Sequence, residues 1–545
     1  MGIVLVDGKE IEVGDQERLN GIQVAARAGI DIPRYCWHPG LTVVASCRMC
    51  LVETGTRDAA TGKISMVPKL VPACQTPAKD GTVFVTNSEN VHKSRAMVEE
   101  DLLIDHPIDC PICDKAGECL LQDYHFEHGQ EQRRADVRPF TSRRREMGDT
   151  VSLFVDRCVM CTRCVRFCRE ITGTSELMVI NRGSHEEIDV FPGFPLENKL
   201  SGNVVDLCPV GALGDKDFLY RQRVWFMKKQ PGVCTLCSTG CSIHIDENQD
   251  TVHRLRPREN PHVNQWWMCD DGRYGYHFVH SDQRLTMLKR FERDVHVPAD
   301  WKSLADELPG QLRAAGKLAA VLSPHLTVEE AYLLAKFIRS IDSQAALVLG
   351  PVPVVGEDER YPKGFVIHAE KCPNRRGVEA IIQHFTGTVL QWPDFLNRLD
   401  AGQYGGVWVT AGYPHPWIDD EEAARFDGLK ELIVQDVFDS PLWQRATWQV
   451  PATTFPERDG SYVNFAERLQ SARWAIRPPS GVWLDGYLYW RLLEIPGLYN
   501  ARRVLSEVAA NISYFELAGA DVPLLGVDLK LNKIAEAPKT EGATA

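Results

Sequence analysis

Sixteen of the 17 cysteines in this 545-residue chain lie between Cys36 and Cys269, and only Cys372 lies beyond them. In a reducing compartment such crowding points to metal or cluster ligation, because a chain long enough to bury its own core does not depend on disulfides. The first set is Cys36-x10-Cys47-x2-Cys50 with Cys74 further on, three sulfurs in one loop and a fourth on a distant strand. A β-grasp ferredoxin wraps a two-iron cluster in this way, although the spacing departs from the plant-type C-x4-C-x2-C run, and a four-cysteine zinc site is the competing assignment. The second set, His106-x3-Cys110-x2-Cys113-x5-Cys119, puts an imidazole in place of one thiolate. A neutral ligand makes a cluster less negative and raises its potential, as in Rieske centres. His125, His128 and the other histidines read as ordinary surface or core residues.

The third set is Cys158-x2-Cys161-x2-Cys164-x3-Cys168 followed by the remote Cys208-Pro209. Three close cysteines and a remote Cys-Pro form the bacterial ferredoxin arrangement for a four-iron cluster, with the proline stiffening the last ligand's turn. Cys208 has no second cysteine run of its own, so Cys168 is left outside the set. The fourth set is Cys234-x2-Cys237-x3-Cys241 with Cys269 after 27 intervening residues. It suits a four-iron cluster, with zinc again the competitor, and Gly240 and Gly272 are expected to let the backbone approach the sulfides. Cys372 reads as a buried structural cysteine.

The elements that must position these donors are legible from local pattern. Ile3 to Val6, an Asp7-Gly8 turn and Glu10 to Val13 predict a hairpin, and Leu19 to Ala28 a helix. Strands are expected around Leu51, over Val67 to Val71 and over Val83 to Val85. The apolar spacing from Asn90 to Ile104 predicts a helix running into the second set. Beyond the cysteines, short apolar runs at Leu318–Leu322, Ala346–Leu349, Val407–Val409 and Leu432–Val434 alternate with helical stretches such as Val328–Ile341. That alternation predicts an α/β half with a largely parallel sheet. The tail after Ile534 has a disordered composition.

Composition excludes several classes. A net charge of −13 argues against a nucleic-acid partner, and the basic stretch Arg133, Arg134, Arg138, Arg143, Arg144 and Arg145 reads as a solvated linker or a docking surface for an acidic partner. No secretory signal and no long apolar run is visible, so a cytoplasmic chain without a membrane span is expected. No dinucleotide fingerprint occurs, the Gly55 to Ile64 stretch fails the phosphate-loop pattern at Lys63, and His185-Glu186-Glu187 lacks the second histidine of a zinc-protease helix. NADH and flavin are therefore expected on another chain.

The stretches CWHPGLTVVASCRMCLVETG, HPIDCPICDKAGECLLQD, DRCVMCTRCVRF and DLCPVGAL resemble the signatures of the family of NADH-quinone oxidoreductase G subunits, counterparts of the 75 kDa subunit of respiratory complex I. The resemblance covers about residues 1 to 280. It implies a two-iron cluster on Cys36, Cys47, Cys50 and Cys74, and a four-iron cluster on His106, Cys110, Cys113 and Cys119. It implies a second four-iron cluster on Cys158, Cys161, Cys164 and Cys208, and a third, kept by only some bacterial members, on Cys234, Cys237, Cys241 and Cys269. PATTFPERDGSYVNFAERLQ, residues 451 to 470, looks like part of a molybdopterin oxidoreductase domain, which that family carries as a scaffold without the pterin.

The resemblance implies an α+β multidomain chain. Its expected parts are a β-grasp two-iron domain (1–89), a His/Cys three-thiolate four-iron domain with a basic linker (90–148), a four-iron ferredoxin-like domain (149–220), a four-iron domain of the molybdopterin oxidoreductase type (221–280), a shortened α/β domain of that type (281–534) and a tail (535–545). It further implies an electron-transfer subunit of a proton-translocating, membrane-bound complex at the cytoplasmic face. The partners would be a flavin- and NADH-binding subunit and downstream iron-sulfur and quinone-binding subunits, and no catalytic residue would lie on this chain. A formate dehydrogenase with its own molybdopterin, or the electron-transfer subunit of an NAD-linked hydrogenase, is the alternative. A hydrogenase catalytic centre would need further cysteines in the second half, where only Cys372 occurs.

Overall fold

A computed structural model describes residues 2–132, 134–138, 140–519 and 521–531. The expected tail and Arg133 lie outside the described residues. The chain divides into one unit of residues 1–227 with 361–364, and a second of 228–360 with 365–545.

The first unit opens with the predicted hairpin, Gly2–Val6 against Lys9–Val13, turned at Asp7 and Gly8, both with positive φ as a tight two-residue turn demands. The helix Gly21–Arg27 follows, its first turn closed by a reciprocal capping box between Asn20 and Gln23. A six-stranded sheet runs in the order Lys9–Val13, Gly2–Val6, Thr82–Val85, Leu51–Arg57, Ile64–Met66, with Val71–Pro72 beside Leu51–Arg57. Gly2–Val6 and Thr82–Val85 pair in parallel, the β-grasp signature. The strand expected over Val67 to Val71 is displaced: Ile64–Met66 and Val71–Pro72 are the paired segments, and the residues between them cross from one to the other. The predicted second helix spans Glu89–Asp105 and is capped by Ser88.

The basic stretch is largely consumed within the chain. Arg134 pairs with Glu100, Arg143 with Asp156 and Glu187, Arg144 with Glu146, and Arg145 with Glu187 and Asp189. Charge so neutralised offers little to an acidic partner.

The second unit begins with the antiparallel sheet Lys228–Val233, Ser242–Asn248 and Thr251–Pro257. Its larger sheet has seven strands in the order Val295–Pro298, Lys289–Glu292, Trp448–Pro451, Glu431–Asp436, Gly406–Thr410, Leu318–Leu322, Ala346–Leu349. The last five pair in parallel, as the alternating pattern predicts. Both faces are buried: on Leu318–Leu322, Leu318, Ala320 and Leu322 enter one apolar cluster, Ala319 and Val321 the other.

Candidate functional site

The first set sits on the β-grasp unit. Cys36, Cys47 and Cys50 lie on the loop between the Gly21–Arg27 helix and the strand Leu51–Arg57, and Cys74 lies just past Val71–Pro72. Ala45 and Arg48 take positive φ, so the loop curls inward between Cys36 and Cys50. The neighbouring Cys47 and then Cys74 thiols hold Cys36 well below the usual thiol range, and Cys74 lowers Cys50. Cys36 and Cys50, and then burial, push Cys74 up. Each of the four sulfurs is thus set against at least one of the others, Cys36, Cys50 and Cys74 buried and Cys47 partly so.

The second set joins two helices. His106 is the C-cap of Glu89–Asp105, and Cys119 is the N-cap of Leu120–His128. Both border a small cavity with Cys110, Cys113, Gln122, Arg157 and Gly211. Burial first, and then the Arg157 charge, lowers the His106 pKa to about 4, so its imidazole is neutral near pH 7 and has a lone pair to give. Gly211 packs directly on the Cys113 sulfur.

The third set surrounds a small cavity lined by Cys158, Cys161, Cys164 and Cys208, with Leu153, Ile188 and Val210 among its apolar walls. Met160 and Thr162 take positive φ, alternating with the ligand positions and wrapping the loop around the cavity. Cys208 caps the helix Asn203–Leu207 before Pro209. Burial raises the Cys161 thiol to about 11, helped by Cys208 and opposed by Arg163 and Arg166. Cys168 does not line this cavity. It opens a π-helical turn, Cys168–Thr172, and its thiol faces Glu176.

The fourth set lies in the second unit. Cys234, Cys237, Cys241 and Cys269 are all buried and act electrostatically on one another. Cys269 caps the short helix Asp270–Tyr274, its sulfur accepting the Gly272 N–H at 3.3 Å. Burial, then the Cys237 charge, pushes Cys234 up to about 12. Gly272 serves as expected, since a Cβ there would lie 3.1 Å from the Cys234 sulfur. Gly240 does not: its φ of +60° and the approach of Asn464 and Gln470, rather than a sulfur, account for the glycine.

The donor chemistry fits iron-sulfur clusters. In the third and fourth sets, sulfurs whose ionisation is opposed by burial and by each other would be relieved by cationic iron, which would also displace their protons. In each of the second and third sets all four donors line a single cavity.

Beyond the sets, the segment 451–470 is an ion-pair staple. Arg458 pairs with Glu330 at 3.1 Å and Asp485 at 3.2 Å, and Arg284 pairs with Glu457 at 2.5 Å, all buried. Glu330 hides on the amphipathic Val328–Ile341 helix, where period alone assigns it to solvent. A crevice of about 10 Å³, lined by His325, Thr410, Gln435, Thr453, Arg458 and Asp485, opens at the carboxyl ends of the parallel strands where strand order reverses. Cys372 is fully buried.

The cysteine sets and their domains define an iron-sulfur protein. Residues 3–89 match the 2Fe-2S iron-sulfur cluster binding domain, 95–134 the NADH-ubiquinone oxidoreductase-G iron-sulfur binding region, 148–214 the ferredoxin-like domain of NADH-quinone oxidoreductase subunit 3, and 227–281 the molybdopterin oxidoreductase Fe4S4 domain. The resemblance to the G subunits of NADH-quinone oxidoreductase extends well beyond the cysteine motifs. The Rickettsia felis G subunit is 34% identical over 62% of this chain and 49% of its own. The Streptomyces coelicolor G subunit is 36% identical over 61% of this chain and 39% of its own. The mitochondrial NADH-ubiquinone oxidoreductase 78 kDa subunit of Neurospora crassa is 38% identical over 56% of this chain and 39% of its own. The chain therefore spans half or less of the length of these relatives. A solved NAD+-reducing [NiFe]-hydrogenase, in the H2-reduced state, is 27% identical over 41% of this chain and 91% of that one, with a TM-score of 0.33, too loose a superposition to carry fold or function. Among the described residues no helix is long and apolar enough to cross a membrane.

Proposed function

We propose that this chain is the iron-sulfur electron-transfer subunit of an NADH-quinone oxidoreductase, with one two-iron cluster on Cys36, Cys47, Cys50 and Cys74. Three four-iron clusters complete the reading, on His106, Cys110, Cys113 and Cys119, on Cys158, Cys161, Cys164 and Cys208, and on Cys234, Cys237, Cys241 and Cys269. The observation that carries it is the grouping of these donors into four sets, each inside the span of a matching iron-sulfur domain. Bound clusters would supply one-electron carriers, the chemistry a chain without a dinucleotide fingerprint needs to serve NADH oxidation.

The chain's own residues hold and insulate. His106 offers a neutral ligand, Gly272 directs its N–H at the Cys269 sulfur, and Leu153, Ile188 and Val210 keep water from the third cavity. No side chain is asked to act as acid, base or nucleophile. In this reading a flavin-bearing, NADH-oxidising subunit is the donor, downstream iron-sulfur and quinone-binding subunits are the acceptors, and the assembly lies on the cytoplasmic face of the membrane. The second unit is a scaffold: its crevice holds about 10 Å³, room for no more than a water, against the roughly 300–1,000 Å³ of ordinary cofactor sites.

The test is iron and acid-labile sulfide content of the anaerobically purified chain, with electron paramagnetic resonance after reduction. One two-iron and three four-iron signals are expected. Zinc without sulfide would end the reading, and molybdenum or tungsten would favour a formate dehydrogenase.

A further inference from the structure

Between the first and third sets the chain buries two cations with no carboxylate among the described residues in ion-pair contact with them. Arg163 and Arg166 are 7% and 2% exposed. Their hydrogen bonds end on backbone carbonyls. Arg166 reaches the carbonyl of Cys36 at 2.5 Å and that of Cys161 at 3.1 Å, so a single guanidinium holds a ligand residue of each set. Arg163 reaches the carbonyl of Trp37 at 2.7 Å and that of Leu207 at 3.3 Å, the residues next to Cys36 and Cys208. The Nε of each has no hydrogen-bond partner among the described residues.

A guanidinium stays charged in any protein environment, and burying one without an opposite charge is costly. Carbonyl dipoles offset part of that cost and a neighbouring anion must supply the rest. The candidates are the sulfurs of the two sets themselves, which would carry net negative charge once they ligate iron as thiolates; those of Cys161 and Cys208 act electrostatically on Arg163.

We propose that Arg163 and Arg166 are shared counter-ions of the clusters held by the first and third sets, raising the midpoint potentials of both and locking the two ligand loops together. Reduction adds negative charge, and a fixed cation at the ligand backbone favours the more negative state. The inference rests on the ligand assignment above.

The test is an EPR-monitored redox titration of the full chain loaded anaerobically with iron and sulfide, native against Arg163→Gln, Arg166→Gln and Arg166→Lys. Each glutamine is expected to lower the reduced-to-oxidised ratio of both clusters about tenfold at fixed ambient potential, about 59 mV for a one-electron couple, with lysine restoring most of it. Full signals at native midpoints in both glutamine variants would overturn the proposal, as would a lysine variant shifted as far as its glutamine counterpart. If the glutamine chains fail to load, Arg166→Lys decides alone, because it keeps the charge while breaking the fork: native midpoints support the counter-ion role and a shift of about tenfold overturns it. A native chain without either signal would sink the ligand assignment instead.

Discussion

A Cβ on Gly211 would lie 2.1 Å from the sulfur of Cys113, so the backbone after Cys208-Pro209-Val210 is pressed onto a cysteine of the second set. No side chain fits in that gap. Gly211→Ala is expected to displace Cys113 and remove the second set's EPR signal together with one cluster's worth of iron. The two-iron signal and that of the fourth set, in the other unit, should survive. A variant with the native spectrum would show that Cys113 can move without consequence.

On the proposed assignment, His106→Cys exchanges a neutral ligand for a thiolate at the C-cap of Glu89–Asp105. The added negative charge should lower that cluster's midpoint in a redox titration and leave the others in place. A rise, or no change, would contradict the ligand role of His106.

Cys168→Ala is expected to leave every cluster signal intact, since its thiol faces Glu176 and lies outside the third cavity. Cys237→Ser should remove one four-iron contribution. Loss of a signal on the first change, or none on the second, would reassign the ligands.

Glu99 is completely buried and accepts the Tyr35 hydroxyl at 2.5 Å. Burial lifts its pKa from the usual 4.5 to about 7. Between those values the folded chain holds a proton that the unfolded chain has released, so the contribution is full below about pH 4.5 and is lost as pH rises through 7. The loss amounts to roughly 3 kcal/mol. Glu99→Gln should flatten that part of the stability-against-pH curve in denaturant titrations run from mildly acidic to mildly alkaline pH. A slope equal to the native one would refute the assignment to Glu99.

Arg458→Met leaves Glu330 and Asp485 buried without their cation and is expected to cost about 3–5 kcal/mol in the second unit. Chemical denaturation followed by tryptophan fluorescence reads this, because Trp408, Trp448 and Trp490 are buried there. A loss under about 1 kcal/mol would mean the triad is not a staple.

By itself the sequence determined what depends on local spacing: the four donor sets, the hairpin turned at Asp7-Gly8, the Glu89–Asp105 helix that ends on His106, and the parallel strands of the second half. Cysteine chemistry and backbone periodicity are short-range properties, readable within a few residues of each donor. Tertiary structure decided what depends on residues far apart in the chain. It placed Cys168 against Glu176, paired Arg134, Arg143, Arg144 and Arg145 of the linker with carboxylates, gave Gly240 a conformational reason in place of a sulfur, and turned residues 451–470 into a buried staple to Glu330 and Asp485. It also set Arg166 between Cys36 and Cys161, 125 residues apart in sequence. No local pattern announces such contacts, because an arginine's partner is chosen by whatever charge the fold brings to it, and burial is a property of the packed chain.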